Sequence, residues 1–270
     1  MMPNRTTRRE GFTLVEMLLV VTIIVLLIGM LLPALGKGRA MARRVTCEAN
    51  LHALGDTVIQ YSTEWRGKIF PYDNATGLYY NTFWMTLLGK YHGNFNELRL
   101  CPETVMDQAG QALAYAPGWG TVKVGWGQPW ITGGWGFLGT NYGSYAWNSW
   151  MHSGRTAHST GTSVNVADDR RHWKNFRAIR TPKDTPMLTD GSWVDTWFQN
   201  NPSGGVSNPP ANLFAENSAS GRVCITRHDR GVIHSMADGS ARWTKLEDLW
   251  QLTWNTESRA MNPPWALPAQ

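Results

Sequence analysis

The residues of this 270-residue chain with chemistry to offer are a lone carboxylate, three thiols and a histidine set before an Asp-Gly pair. Glu16 stands at the rim of a run, Met17 to Gly36, that carries no charge in twenty residues. An ionisable group there is expensive to desolvate, is usually paired, and is read as functional by default. Cys47, Cys101 and Cys224 exclude a disulfide-dense scaffold and leave one thiol over if a single pair forms. His228 precedes Asp238-Gly239 with nine residues between. The two would bracket one hairpin, and tying its ends is the structural role this spacing implies; a metal or catalytic role is the sharper alternative. Asp190, Asp195 and Asp238 are too few and too scattered for a calcium loop. There is no G-x-S-x-G, H-E-x-x-H, P-loop or C-x-x-C pattern, and His228-Asp229 and Asp168-Asp169 lack a third partner. No catalytic residue, no metal and no cofactor is expected.

Composition narrows the elements that must carry these residues. Hydrophobic residues make up 42% and charged residues 17%, which excludes a disordered polyelectrolyte and allows a sizeable core. The net charge of +5 makes nucleic acid a weak candidate partner. The uncharged run after Glu16 is long enough, as a helix of about 30 Å, for one membrane crossing. Gly29 and Pro33 would break a marginal helix in water, but in lipid or a packed bundle the freed backbone groups find other partners. A secretory signal peptide would have a shorter apolar core, and its small-x-small site, Ala40-Met41-Ala42, would lie beyond Lys37 and Arg39. A plain single-span anchor leaves Glu16 unexplained. Beyond the run, Cys47, Leu51, Leu54, Val58, Tyr61 and Trp65 recur at helical spacing, opposite Arg43, Arg44, Glu48, Asp56 and Gln60. One helix from Phe12 to about Ser62, on the order of 75 Å long, is predicted.

The stretch Arg8-Arg9-Glu10-Gly11-Phe12-Thr13-Leu14-Val15-Glu16 resembles the type III leader of type IV pilins and type II secretion pseudopilins. A basic leader ends in Gly11; Phe12 would be the first mature residue, Glu16 the fifth and Pro33 the twenty-second, where such proteins often carry a proline and the helix would kink. The resemblance implies a prepilin peptidase that cuts after Gly11 and N-methylates Phe12. It implies that Glu16 pairs with the Phe12 amine of a neighbouring subunit and sets the register of assembly. The fold it implies is α+β and pilin-like: a long N-terminal α-helix, half membrane-spanning and half amphipathic, packed on an antiparallel β-sheet head with long irregular loops. The expected divisions are a leader over 1–11, a membrane or filament-core half over 12–36, an amphipathic half over 37–65 and a head over 66–270. Arg5, Arg8 and Arg9 favour a cytoplasmic leader, although Lys37, Arg39, Arg43 and Arg44 flank the other end.

In the head, Trp84, Leu87, Leu88 and Tyr91 predict a short helix capped by Asn81 or Thr82. Leu98 to Cys101, Tyr142 to Trp147 and Met187 to Thr189 read as strands. Asp238-Gly239 between Gly231–Ala237 and Ser240–Thr244 predicts a hairpin, followed by a helical turn through Leu246, Leu249 and Trp250. Residues 118–143 hold nine Gly and four Trp and read as an irregular insertion with aromatic pegs outside the core. Residues 152–180 form a basic loop. His228, Asp238 and Gly239 resemble the signature of a large-headed H-X9-DG prepilin family, as do Cys47-Glu48-Ala49-Asn50-Leu51, Tyr61, Pro71, Cys101-Pro102 and Ser144-Tyr145-Ala146-Trp147-Asn148. With an oxidising location, that resemblance implies a Cys47–Cys101 disulfide, with Cys224 a buried strand residue. The function implied is a structural subunit of a type IV pilus or type II secretion filament, single-pass in the inner membrane with its head periplasmic or extracellular. Its partners would be prepilin peptidase and other pilin-like subunits. The other class is a surface-displayed minor pilin, stacking its Trp/Gly segment on polysaccharide or gripping DNA with its basic loop.

Overall fold

The computed structural model describes residues 13–70, 84–104, 120, 124–127, 142–152, 170–201, 205–206, 222–223 and 227–263. The chain divides into two compact units, Met1–Ala42 and Arg43–Gln270. Helix α1, Leu14–Glu64, runs through both.

In the first unit the helix carries no charge from Met17 to Gly36, and the large side chains from Leu14 to Leu35 are exposed. This segment is long and apolar enough to cross a membrane. Pro33 lies inside the helix. It cannot donate to the carbonyl of Gly29, four residues back, so that acceptor loses its usual intrahelical partner.

In the second unit the stripe becomes selective: Cys47, Leu51, Leu54, Val58 and Tyr61 are buried. Trp65, placed on the same stripe by its spacing, lies past the helix end and is 49% exposed, stacked on Tyr61. Helix α2, Trp84–Leu88, is shorter than its apolar spacing predicts, because Gly89 and Tyr91 continue as a turn. The expected cap residues Asn81 and Thr82 lie outside the described residues. Leu98 to Cys101 is not a strand: helix α3, Phe95–Leu98, occupies its start. The backbone that follows is held by single bonds, from Ser144 N–H to the Arg99 carbonyl and from Asn50 Nδ2 to the Leu100 carbonyl.

The main sheet has β1 (Tyr145–Asn148), β2 (Pro186–Asp190), β3 (Asp195–Thr196), β6 (Gly231–Met236) and β7 (Ala241–Lys245), in the order β3-β1-β2-β6-β7. A separate ribbon pairs β4 (Asn200–Asn201) with β5 (Gly205–Val206). The main sheet is mixed, which corrects the all-antiparallel expectation. After β2 the chain reverses through Gly191–Val194 and passes to the far edge of β1, so β3 lies parallel to β1. The predicted β6–β7 hairpin forms, with Gly231 opposite Lys245 and Ser235 opposite Ala241. Its turn needs Gly239, whose φ is +91°, and the Asp238 carboxylate accepts from the Ser240 N–H and hydroxyl. A 3-10 turn, Leu246–Gln251, closes the head as expected.

Among the described residues the tryptophans are largely core. Trp84, Trp126, Trp147, Trp150, Trp250 and Trp254 are all buried. Trp126 corrects the reading of the Gly-rich stretch as pegs outside the core: its indole donates to the Tyr145 carbonyl at 3.2 Å and its backbone exchanges bonds with Gly143. Trp119, Trp130 and Trp135 lie outside the described residues, as does 153–169 of the basic loop.

Candidate functional sites: the N-terminal helix start and a buried thiol cluster

Gly11 and Phe12 lie outside the described residues; Thr13 opens the described chain. Its backbone N–H and hydroxyl both donate to Glu16 Oε2 at 2.8 Å, and the Glu16 N–H donates back to the Thr13 hydroxyl at 3.3 Å. This is a capping box. The first N–H groups of a helix have no intrahelical partner, and a Thr-x-x-Glu pair satisfies two of them reciprocally. The spacing was readable in the sequence, where Glu16 was assigned only an intersubunit role. In the folded chain Glu16 also defines where the anchor helix begins.

The second site is in the head. Cys47 from α1, Cys101 after α3, Asp190 at the end of β2 and His228 before β6 are all buried, with their ligand-type atoms within 4.8 Å of one another. Cys101 Sγ is 3.2 Å from His228 Nε2. The Cys47 thiol points at Asp190 Oδ1, 3.6 Å away, and Tyr145 Oη lies 3.2 Å from the same sulfur. Both cysteines are free thiols, so the structure brings the expected pair together without joining it. Cys224 lies outside the described residues.

Asp190 organises the cluster. Its Oδ1 accepts from Arg227 Nη1 at 3.2 Å, and its Oδ2 accepts from the Ile233 N–H at 3.1 Å and lies 3.5 Å from His228 Nε2. Arg227 also donates to the Ser144 carbonyl at 2.7 Å. Arg227 and His228 enter the core from a tight turn: Asp229 and Arg230 both have positive φ, 51° and 55°, although neither is glycine. Each such residue costs about 1–2 kcal/mol, and strain of this kind collects where a chain must aim a side chain.

The electrostatics are those of mutually dependent groups. Burial pushes the Cys47 thiol well up, with its hydrogen bond to Cys101 and the charge of Asp190 adding to the rise. Burial would raise Cys101 as well, but hydrogen bonds from Cys47 and His228 and the charge of Arg227 outweigh it and bring it down to about 6. Burial works to lower His228, and its bond to Cys101 and the Asp190 charge raise it instead. Tyr145 is pushed well up by burial and by the surrounding thiols and carboxylate. Cys101 and His228 therefore favour a thiolate–imidazolium pair in a dry site.

His228 and Asp238 do not tie one hairpin together. They lie beyond opposite ends of the six-residue β6, about 20 Å of strand apart: His228 faces Cys101, and Asp238 bonds Ser240. The hairpin needs no tie because its strands already exchange a full ladder. From the sequence, Asp190 is weighed as a calcium ligand and set aside, and Tyr145 and Arg227 are given no role beside the thiols. The one signal was Asp190, a carboxylate closing the apolar strand run Met187-Leu188; Arg227, set between Thr226 and His228-Asp229-Arg230, gave none.

Residues 6–32 match the family model described as "Prokaryotic N-terminal methylation motif". No curated protein and no solved structure matches the chain. The match supports a pilin-type subunit that is processed at its N-terminus, and the single long apolar helix fits a single-pass membrane anchor. The matching family is one of structural subunits.

Proposed function

We propose that the chain is cut between Gly11 and Phe12 by a prepilin peptidase, N-methylated on Phe12, and stacked with other pilin-like subunits in a type IV pilus or type II secretion filament. The observation that carries this reading is the coincidence of the methylation-motif match over residues 6–32 with an anchor helix whose large apolar side chains, Leu14 to Leu35, stay exposed in the isolated chain. Such a surface, exposed in water, would oppose folding as a lone soluble protein; lipid before assembly and neighbouring subunits after it supply the cover.

Cleavage creates a positive amine on Phe12 in apolar surroundings, where an unpaired charge costs several kcal/mol. Glu16 of a neighbouring subunit neutralises it. Both Thr13 bonds fall on Oε2 of Glu16, so pairing with the amine through Oε1 would not displace them. The pair adds little net stability but penalises wrong axial registers. The head sits on the periplasmic or extracellular side because the leader motif needs it; charge alone does not decide, with Arg5, Arg8 and Arg9 before the span and Lys37, Arg39, Arg43 and Arg44 after it. External protease added to spheroplasts tests this: digestion of the head with survival of the anchor is expected, and a fully protected chain contradicts it.

A further inference from the structure

We propose that Cys47, Cys101, Asp190 and His228 form a structural site for a divalent, thiolate-preferring metal ion of the zinc class, clamping the long helix to the sheet of the head. Going beyond the filament reading, it rests on the head alone.

The donor set comes first. Two cysteine sulfurs, an imidazole nitrogen and a carboxylate oxygen form a borderline-soft set of the type zinc takes, four in number and tetrahedral in structural sites. Metal–ligand bonds of about 2.0–2.3 Å in a tetrahedron place neighbouring donors about 3.3–3.8 Å apart. The separations here are close to that range: 3.2 Å for Cys101 Sγ to His228 Nε2, 3.6 Å for Cys47 Sγ to Asp190 Oδ1 and 3.5 Å for His228 Nε2 to Asp190 Oδ2, a small rotation of the carboxylate being needed for one oxygen to serve both. All four residues are buried, and the four donors converge within 4.8 Å.

Charge is the second argument. Two thiolates and a carboxylate carry three negative charges; a divalent ion leaves one, and the Arg227 guanidinium, with its side chain 0% exposed and 3.2 Å from Asp190, neutralises it. A dry core holds ions only when they are balanced in this way. Ligand orientation is the third. Cys47 has Tyr145 Oη at 3.2 Å, and Asp190 has the Ile233 N–H at 3.1 Å as well as Arg227. Outer partners of this kind fix first ligands in place.

The ion would join α1, the segment after α3, the end of β2 and the loop before β6. These are distant in sequence, so one ion closes three long loops. Its mechanical consequence is that a pull on the rod half of α1 is resisted at Cys47, inside the head. On binding, two protons leave for solvent, so that both sulfurs end as thiolates and the His228 nitrogen is unprotonated, and no oxidation occurs.

The test uses the full chain purified in detergent without reductant or chelator. Elemental analysis should find about one zinc per chain. Replacement by Co2+ should give thiolate-to-cobalt charge-transfer absorption and the intense d–d bands of a tetrahedral site. Cys101→Ser and His228→Gln should each lose the zinc and weaken the charge-transfer band or shift the d–d bands, whereas His234→Gln, a buried histidine outside the site, should keep both. A chain with no zinc that also fails to bind Co2+ in this geometry overturns the proposal. So does a Cys47–Cys101 disulfide in the exported protein, found by mapping non-reduced peptides. If the serine and glutamine variants misfold, the wild-type cobalt spectrum alone decides. Leader cleavage does not depend on this site, so the proposal can fail while the filament reading stands.

Discussion

Gly55 of α1 lies directly against Ser235 of β6, so close that a Cβ at position 55 would strike the Ser235 hydroxyl. This contact is where the helix sits down on the sheet. Glycine in a helix interior costs about 1 kcal/mol relative to alanine, so its presence is explained by the approach it permits. The Ser235 hydroxyl is buried and has no hydrogen-bond partner among the described residues. Gly55→Val should destabilise the head by about 1–3 kcal/mol through overpacking. Gly55→Ala combined with Ser235→Ala should be neutral or stabilising, because space opens and a better helix former enters. Thermal unfolding of both variants in detergent checks the pair; equal losses in the two would show that the contact does not set the helix–sheet distance.

Trp126 is the residue by which the Gly-rich stretch is fastened to β1. It is 0% exposed and donates to the Tyr145 carbonyl. Trp126→Ala should cost about 3–5 kcal/mol, the usual range for emptying a large aromatic site. Trp65→Ala, at a half-exposed ring, should cost about 1 kcal/mol or less. Denaturant midpoints measured in parallel give the comparison, and a Trp126→Ala loss no larger than that of Trp65→Ala contradicts the core assignment.

His234 gives the head an acid sensitivity. It is fully buried on β6, paired across the sheet with Thr189 of β2 and Arg242 of β7, against the Trp254 ring; Arg242 in turn faces Asp184. Burial, with the Arg242 charge, lowers its pKa from 6.5 to about 3. The unfolded chain binds a proton here below about pH 6.5 and the folded chain does not until about pH 3, so stability is full above 6.5 and falls with pH between these limits. The loss from pH 7 to pH 4 is roughly 3 kcal/mol. His234→Gln should flatten that slope by close to one proton in urea unfolding at the two pH values. An unchanged slope would mean that His234 titrates normally in the fold.

Glu16 carries two roles, and its substitution separates them. Glu16→Ala removes the capping partner of Thr13, worth about 0.5–2 kcal/mol of local helix stability. It leaves the leader residues intact. The leader should therefore still be removed, while filament yield in the sheared fraction falls sharply. Glu16→Gln keeps a hydrogen-bonding side chain but no charge. It should restore the cap and not the assembly, and wild-type filament yield from it would remove the charge-pairing idea.

Legibility in the sequence followed the range of the interactions. The anchor was plain because absence of charge over twenty residues is a local property, and the amphipathic half because Cys47, Leu51, Leu54, Val58 and Tyr61 repeat at helical spacing. The β6–β7 hairpin was legible from Asp238-Gly239, a turn whose chemistry lies within two residues. The thiol cluster was not. Its members are 54, 89 and 38 positions apart in turn, and only the sheet order, with β2 beside β6 and α1 above them, brings them together. Trp126 was misjudged for a related reason: its neighbours Gly125 and Gly127 signal irregular backbone, while its burial is decided by Tyr145 and Gly143 on another segment. The parallel β3 was missed because a two-residue strand has no periodicity to read.

The central claim is N-terminal processing. Mass spectrometry of the N-terminal peptide from the membrane-extracted, mature protein tests it most directly. The account predicts a chain beginning at Phe12 with one methyl group on its amine, and an unprocessed precursor in cells lacking prepilin peptidase. A mature chain that keeps residues 1–11, or begins at any other residue, contradicts it.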